Sequence, residues 1–327
     1  MVLLRLEPFP TFSKSLEKNK WADYLELLCL ISSDKEISLN DIITLYSQEE
    51  LSGISNGDED HSEKVDKLRA SFTEIFRYIF SRMDYMDDYY PFTKIDEDTI
   101  KMEKMDEKKL LYIFLLLSSN TSYITDNKIP SFFRKSFERI SVDIMKILYP
   151  NFRNELFGTS TKKGDFFYGG KVIKKLEALK GCLNTTLKKK VYDNKRYLSP
   201  SGDGEIDLIS YMKIDKDMCA TYMLPACFGQ CTTSYKDWKK KQGSIKFDSL
   251  NNIFEDLAHF HEYSFISFPL RGINGKWDTE EADKIQTIII DRIRFLNILA
   301  SSDMTTVLDK KTSDRMKTIM GEFDVAC

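Results

Sequence analysis

Apolar residues in the first 128 positions recur at the spacing of helices. One apolar stripe predicts a helix over residues 20–31, and a second predicts a helix over residues 65–83. The apolar run at residues 110–117 is too short to cross a bilayer and is typical of a buried helix. We therefore expect a mostly helical N-terminal domain over residues 1–128 that docks a partner or regulates the rest of the chain.

The second half of the chain shows the apolar spacing of helices in some segments and that of strands in others. An amphipathic helix is predicted over residues 132–148 and is stopped by Pro150. β-Branched and aromatic residues predict strands over residues 205–214, 224–232 and 263–270, and apolar stripes predict helices over residues 247–261 and 282–299. This pattern predicts an α/β (mixed α+β) domain over residues 129–327.

Composition narrows the class of protein. Hydrophobic residues make up 42% and charged residues 30% of the chain, which is typical of a globular protein and excludes a disordered one. The N-terminus lacks a secretion signal, so we expect a cytoplasmic protein with no membrane segment and with six free cysteines. Three histidines are too few for a histidine-rich metal centre.

Charge is distributed unevenly, although the net charge is only −3. Residues 47–107 carry 17 acidic and 8 basic side chains, a surface that should repel nucleic acid. Residues 161–196 carry 11 basic and 3 acidic side chains. This basic segment is either a solvated face or a phosphate-binding patch.

Two predicted strands bring candidate metal ligands together. If residues 205–214 and 224–232 form an antiparallel hairpin that closes between Ile214 and Met223, Asp207 lies opposite Gln230. Paired residues have Cβ atoms about 4.5–5.5 Å apart. A carboxylate and an amide oxygen at that distance can both bind a hard cation such as Mg²⁺, and the backbone carbonyl of Cys231 offers a third oxygen.

The sequence around these ligands has a family likeness. Gly202-Asp-Gly204 leads into Glu205-Ile206-Asp207, and Gln230-Cys231-Thr232 follows on the next strand. This arrangement resembles the Mrr-like branch of the PD-(D/E)XK, or restriction endonuclease-like, nuclease superfamily, in which the second strand carries Gln-x-Lys. The resemblance covers residues 130–299. It implies a mixed sheet flanked by helices, in the order helix, three-stranded meander, helix and strand, with the first strand near Val191. It also implies an acidic residue on the first helix, where Glu138 stands.

One residue departs from the family pattern. Thr232 occupies the position of the family's lysine and cannot supply a positive charge. The string from Gly229 to Lys241, Gly-Gln-Cys-Thr-Thr-Ser-x-x-Asp-Trp-x-x-Lys, is similar to an uncharacterised subgroup in which the lysine has migrated. Lys236 and Lys240 are the candidate replacements, and Lys240 is favoured because Trp238 would anchor that turn.

The resemblance implies a Mg²⁺- or Mn²⁺-dependent DNA endonuclease that hydrolyses phosphodiester bonds. Its metal would be held by Asp207, Gln230, the Cys231 carbonyl and Glu138. The neighbouring phosphates would be held by Lys162, Lys163, Lys188, Lys189, Lys190, Lys195 and Arg196. By analogy such proteins are effectors of bacterial anti-phage defence beside an ATPase or helicase partner, and cleavage of both strands implies a homodimer. The chain has no Gly-x-x-x-x-Gly-Lys-[Ser/Thr] loop, so we expect it to supply no NTPase itself.

Two other functions remain open from the sequence. Thr232 is compatible with a catalytically inactive nuclease fold that serves as a scaffold or a nucleic-acid sensor. Alternatively, the chain is a protein-binding helical module and its basic segment is incidental. The sequence does not distinguish DNA from RNA as the substrate.

Overall fold

The computed structural model describes residues 6, 15–50, 59–126, 128–198, 205–213, 224–255, 260–302 and 308–325. The chain divides into two compact units. The first contains Met1–Asn127, Pro269–Asp283 and Leu308–Cys327, and the second contains Lys128–Phe268 and Lys284–Val307. The first division lies within one residue of the expected boundary. One boundary in the sequence does not separate the two units, however, because residues 269–283 and 308–327 also belong to the first unit.

The first unit combines helices with a small sheet that the helical pattern did not predict. Its helices are α1 (Ser15–Ile31), α2 (Leu39–Glu50), α3 (Glu59–Met86), α4 (Glu107–Ser119), α11 (Thr279–Ala282) and α13 (Lys310–Val325). Its strands, β1 (Glu36–Ser38), β2 (Phe92–Asp96) and β3 (Thr99–Met102), form an antiparallel sheet in the order β1-β3-β2. Helix α4 is fully buried over residues 110–118 and begins at Asp106, whose side chain accepts a hydrogen bond from the Lys109 N–H.

An ionic cluster lies in the core of the first unit. The guanidinium of Arg82 donates to Asp23 at 2.8 Å and to Glu26 at 2.6 Å, and all three side chains are at most 1% exposed. The hydroxyls of Tyr90 and Tyr112 each donate to Glu26 at 2.7 Å. Hydrogen bonds to both charges are what make a buried ion pair tolerable.

The second unit is a five-stranded mixed sheet flanked by helices, which confirms the expected mixed α/β class. The strands lie in the order β4 (Phe152–Leu156), β5 (Leu208–Met212), β6 (Ala226–Thr232), β7 (Phe260–Ile266) and β8 (Ile288–Ile290). Strands β4, β5 and β6 form an antiparallel meander, and β6, β7 and β8 are parallel. The helices are α5 (Ile129–Leu148), α6 (Val172–Leu183), α7 (Lys189–Asp193), α8 (Lys195–Leu198), α9 (Trp238–Gln242), α10 (Phe247–Asn251) and α12 (Arg292–Ala300).

Helices cover the sheet with apolar side chains. Helix α5 packs on β4, β5 and β6, and its Phe137 stacks on Phe295 of α12 at 6.0 Å between ring centroids. Helix α6 and the segment around α10 form a second core with the sheet residues Ile209 and Phe228. Helix α5 starts with Pro130 in its first turn, where the missing N–H costs nothing.

Several expected elements differ from the structure. The segment around Val191, expected to be the first strand, is helix α7, and the first strand of the meander is β4 instead. The expected helix 247–261 is only Phe247–Asn251, and His261 lies on β7. The expected helix 282–299 is divided into β8 and α12, because Asp291 caps the N-terminus of α12 by accepting from the Arg294 N–H. His259 and the connection 214–223 lie outside the described residues.

No helix in the described part of the chain is both long and apolar enough to cross a membrane. Cys29, Cys182, Cys227 and Cys231 carry free thiols, as expected. Cys219 and Cys327 lie outside the described residues.

Candidate active site

The candidate site forms where β5 begins and β6 ends. Leu208 pairs with Gly229 and Ile209 pairs with Phe228, so the predicted register is confirmed within β5, but the pairing stops at Leu208 and does not include Asp207 and Gln230. Asp207 directly precedes β5, and Gln230, Cys231 and Thr232 are the last residues of β6. The preceding turn, residues 202–204, lies outside the described residues.

Asp207 is held rigidly by its neighbours. Its side chain is buried, and its Oδ2 accepts a hydrogen bond from the Cys231 N–H at 2.7 Å. Its backbone carbonyl accepts from the N–H groups of Phe157 and Gly158 at 2.8 and 3.0 Å. The carboxylate therefore has a fixed position on the ends of three adjacent strands.

Glu138 reaches the same place from helix α5. Gly158 shows this, because a Cβ atom on Gly158 would lie 3.0 Å from Asp207 Oδ1 and 3.3 Å from Glu138 Oε2. The two carboxylates thus converge on the bare Cα of Gly158, where a side chain would be crowded. Both are almost fully buried, with exposures of 3% for Asp207 and 4% for Glu138. Two buried carboxylates this close are costly unless a cation or hydrogen bonds compensate for their charge.

The pKa of a neighbouring thiol reflects the same concentration of negative charge. Burial, followed by the charges of Asp207 and Glu138, raises the pKa of the Cys231 thiol well above its usual value. Cys231 therefore stays a neutral thiol, and its backbone carbonyl is the group that it can offer to a cation.

Gln230 and Asp207 contact different groups, contrary to the expectation. Phe228 belongs to the same apolar core as Ile245, and strand alternation places Gln230 on that face of β6. There Gln230 Oε1 accepts a hydrogen bond from the Ser244 hydroxyl at 3.5 Å. The Asp207 N–H bonds to Gly229 O at 3.0 Å, so the pairing is irregular just where β5 starts. The structure therefore brings Asp207 together with Glu138, not with Gln230 as expected.

The lysine of this segment that contacts β6 is Lys241, which the sequence did not lead us to expect. Lys241 Nζ donates to the Cys231 carbonyl at 2.9 Å, whereas Lys236 and Lys240 are exposed. Trp238 is buried and anchors α9, as expected. The rotation of this short helix turns Lys241 rather than Lys240 toward β6. Thr232 ends the strand, and its hydroxyl accepts from the Ser234 N–H at 3.2 Å.

Lys175 and Gly158 also belong to this site and were not expected from the sequence. Lys175, on α6, is 7% exposed and donates to the carbonyls of Phe157 and Gly158 at 2.9 and 3.0 Å. It therefore fixes the backbone on which the carboxylates converge. A lysine inside the apolar stripe of α6 and a lone glycine after a strand were the available signals.

The expected phosphate-binding residues occupy two places. Lys162 and Lys163 are exposed in the loop that follows Gly158. Lys190 and Arg196 line a polar cavity of about 310 Å³ with Tyr197 and Ser244, and Arg196 forms an ion pair with Glu205 at 2.6 Å. The other three are Lys188, Lys189 and Lys195, which lie beside this cavity on or next to α7 and α8.

The donor set suits a hard cation better than a soft one. Asp207, Glu138 and the Cys231 carbonyl offer oxygen atoms, and Mg²⁺ is typically bound by one or two carboxylates plus water and substrate phosphates. No group of three or more His, Cys, Asp or Glu side chains in the described residues could hold a metal ion on its own. The comparisons with known proteins name no function for this site: the chain matches no family model, no curated protein and no solved structure.

Proposed function

We propose that the chain is a Mg²⁺- or Mn²⁺-dependent nuclease that hydrolyses phosphodiester bonds of DNA. The observation that carries this proposal is the convergence of Glu138 Oε2 and Asp207 Oδ1 on Gly158. A pair of buried carboxylates beside a lysine is a costly arrangement for structure alone, and it is the arrangement that metal-assisted phosphoryl chemistry uses.

Each residue has a role in this proposal. Asp207, Glu138 and the Cys231 carbonyl would hold the cation, which when bound polarises the phosphate and lowers the pKa of its water. Lys241 supplies the positive charge that Thr232 cannot, and stabilises negative charge as it develops on the phosphate. Lys175 is a positioning residue, because it holds the backbone of Phe157 and Gly158.

The order of the elements supports the proposed nuclease superfamily. Helix α5 is followed by the antiparallel meander β4-β5-β6, in which α6, α7 and α8 are inserted between β4 and β5, then by the short helices α9 and α10, and by β7 parallel to β6. Apart from the inserted helices, this is the order that the PD-(D/E)XK resemblance implies, with β4 in place of the segment near Val191. The acidic residue on the first helix, Glu138, contributes to the site from the implied position.

The test is nicking of supercoiled plasmid in Mg²⁺ or Mn²⁺, together with Mn²⁺ binding measured by calorimetry. Asp207→Asn and Glu138→Gln keep the size of each side chain and should lower the nicking rate by about 10²-fold or more. Both should also weaken Mn²⁺ binding. Glu262→Gln is the matched control, since Glu262 is a half-buried carboxylate on β7 opposite Phe228, and it should keep both properties. Nicking that survives Asp207→Asn would overturn the assignment.

An inactive scaffold or nucleic-acid sensor is the second candidate. Thr232 favours it, because this buried hydroxyl stands where the family's catalytic lysine is expected. The same experiment separates the two functions. DNA binding by the wild-type protein without nicking in either metal would favour the scaffold. The defence role, an ATPase or helicase partner and a homodimer remain predictions from the resemblance.

A further inference from the structure

A loop next to the carboxylates exposes two aromatic rings. Residues 159–171, here called the aromatic loop, connect Gly158 to α6. Phe166 is 45% exposed and Tyr168 is 54% exposed, whereas Phe167 between them is 2% exposed. Exposed aromatic residues on both sides of a buried one are unusual for a surface loop, since their apolar area gains nothing from folding.

The aromatic loop is fixed rather than loosely attached. The ring of Phe167 packs on that of Phe157 with centroids 4.9 Å apart. Arg139 donates to the Ser160 carbonyl at 2.7 Å and to Asp165 at 2.8 Å, and Asp165 also accepts from the Lys162 N–H at 2.6 Å. These anchors hold the two exposed rings in place before any ligand arrives, which reduces the entropy lost on binding.

The anchors also place the aromatic loop beside the candidate site. Arg139 directly follows Glu138 on α5, and its partner Asp165 directly precedes Phe166. At its other end, the loop begins after Gly158, on which the carboxylates converge. Phe166 therefore follows Asp165, whose ion-pair partner Arg139 follows the proposed metal ligand Glu138.

The charge around the rings favours an anionic partner. Lys162, Lys163, Lys171 and Lys174 are exposed in or next to the loop. The only acidic side chain in the loop, Asp165, is paired with Arg139. The guanidinium of Arg153 lies over the ring of Phe166, 4.6 Å from its centroid, and is paired with Glu155 at 2.7 Å, so the lysines supply the positive charge around the rings. A surface that binds single-stranded nucleic acid combines aromatic rings, on which bases stack, with lysines, which bind phosphates.

We infer that Phe166 and Tyr168 stack on unpaired bases, so that the substrate is a single-stranded or locally unpaired polynucleotide. The bases of an intact duplex are stacked on one another and offer no free face to a side chain, whereas unpaired bases do. This inference rests on the proposed function for its substrate class, because the loop would deliver the strand to Asp207 and Glu138. Each stacked base contributes about 1–3 kcal/mol, which corresponds to about 5- to 150-fold in affinity.

The experiment measures binding without cleavage. Fluorescence anisotropy with labelled oligo(dT) and with a labelled duplex, both in EDTA, compares wild type with Phe166→Ala, Tyr168→Ala and Phe166→Trp. We expect the wild type to prefer oligo(dT), each alanine variant to lose about 5-fold or more for oligo(dT), and Phe166→Trp to retain its affinity. The duplex affinity should change little, because it depends on the lysines.

Phe247→Ala is the matched control. Phe247 is 50% exposed and stacks on Phe260, which lies at the opposite end of the sheet from Asp207. This variant should bind oligo(dT) as the wild type does. An equal loss in Phe247→Ala, or no loss in the two loop variants, would overturn the inference, and so would a wild-type protein that binds neither nucleic acid.

Failure of the inference is distinguishable from failure of the proposed function. If the loop variants bind normally but Asp207→Asn abolishes nicking, the nuclease proposal stands and the stacking surface is wrong. If the loop variants lose oligo(dT) binding but no metal-dependent nicking exists, the stacking surface stands and the protein binds single strands without cutting them.

Discussion

Replacing Lys241 tests the candidate site most sharply, because two exposed lysines of the same short segment serve as controls. Lys241→Met removes the charge that contacts the Cys231 carbonyl at 2.9 Å. Lys240→Met and Lys236→Met remove charges that lie in solvent. All three variants keep most of the apolar part of the side chain, so they differ mainly in where the charge is lost.

The expected effects differ greatly in size. Loss of one preorganised group that stabilises the transition state costs about 10²- to 10³-fold in rate, or about 3–4 kcal/mol. Loss of one hydrogen bond from a half-buried lysine lowers the free energy of unfolding by about 1 kcal/mol. A domain with a stability of about 5–15 kcal/mol stays folded after that loss. A drop in rate would therefore reflect chemistry and not unfolding.

The assay is single-turnover nicking of supercoiled plasmid with enzyme in excess, in Mg²⁺, together with calorimetric binding of Mn²⁺. Lys241→Met should nick slowly and bind Mn²⁺ at least as tightly as the wild type, because the lysine is no ligand and its charge beside the Cys231 carbonyl repels the cation. The reasoning is refuted if Lys240→Met loses as much rate as Lys241→Met, or if Lys241→Met nicks at the wild-type rate.

Three further predictions concern groups that the structure makes unusual. Gly158→Ala would press a methyl group against Asp207 and Glu138, so it should lower the free energy of unfolding by about 1–3 kcal/mol and weaken Mn²⁺ binding. Gly181→Ala, where a Cβ meets nothing within 4 Å, should do neither. Equal effects of the two substitutions would contradict the position described for the carboxylates. Arg82→Met takes the guanidinium from both carboxylates that it contacts and should cost about 3–5 kcal/mol in urea unfolding; a loss under about 1 kcal/mol would show that the cluster is not buried as described. Burial opposes ionisation of Asp165, but its hydrogen bonds and the charge of Arg139 outweigh burial and lower the pKa of its carboxyl below the ordinary 3.8. Its stabilising effect is therefore complete above that ordinary value and is lost as pH falls through the lower folded pKa, so the difference of about 1 kcal/mol between wild type and Asp165→Asn at neutral pH should vanish in strong acid; a difference that persists there would be inconsistent with this ion pair.

The register of the central hairpin could be predicted because its two strands have a clear sequence pattern. Residues of β5 and β6 are mostly apolar, aromatic or small and almost all buried, so the two segments and their pairing follow from composition and chain closure. Strand β4 was missed because it is an edge strand that carries Arg153, Asn154 and Glu155 and buries only Leu156. The apolar run of β8 was read as helix, since periodicity cannot distinguish a short buried strand from the start of an adjacent helix.

The small sheet of the first unit gave an even weaker signal. Strand β1 has three residues and pairs with β3, more than sixty positions later, through Glu36 and Lys101. Such a short strand has no period that a sequence pattern can reveal. Its position is decided by packing against distant parts of the chain.

Within the site, the sequence identified Asp207 and Glu138 but not the way in which they meet. The pairing irregularity at the start of β5 separates Asp207 from Gln230, and no residue type marks it. The lysine that contacts β6, Lys241, stands one position after the favoured Lys240. The family-like string from Gly229 already ends on Lys241, but the rotation of a five-residue helix depends on how Trp238 packs.

The return of residues 269–283 and 308–327 to the first unit has a consequence for synthesis of the protein on the ribosome. Helix α13 packs against α4, about two hundred positions earlier in the chain. The unit translated first is thus completed last, after every residue of the other unit has emerged. A fragment that ends at residue 127 lacks α13 and would expose the surface of α4 that α13 covers. During translation, that surface of α4 therefore stays uncovered until α13 has been synthesised.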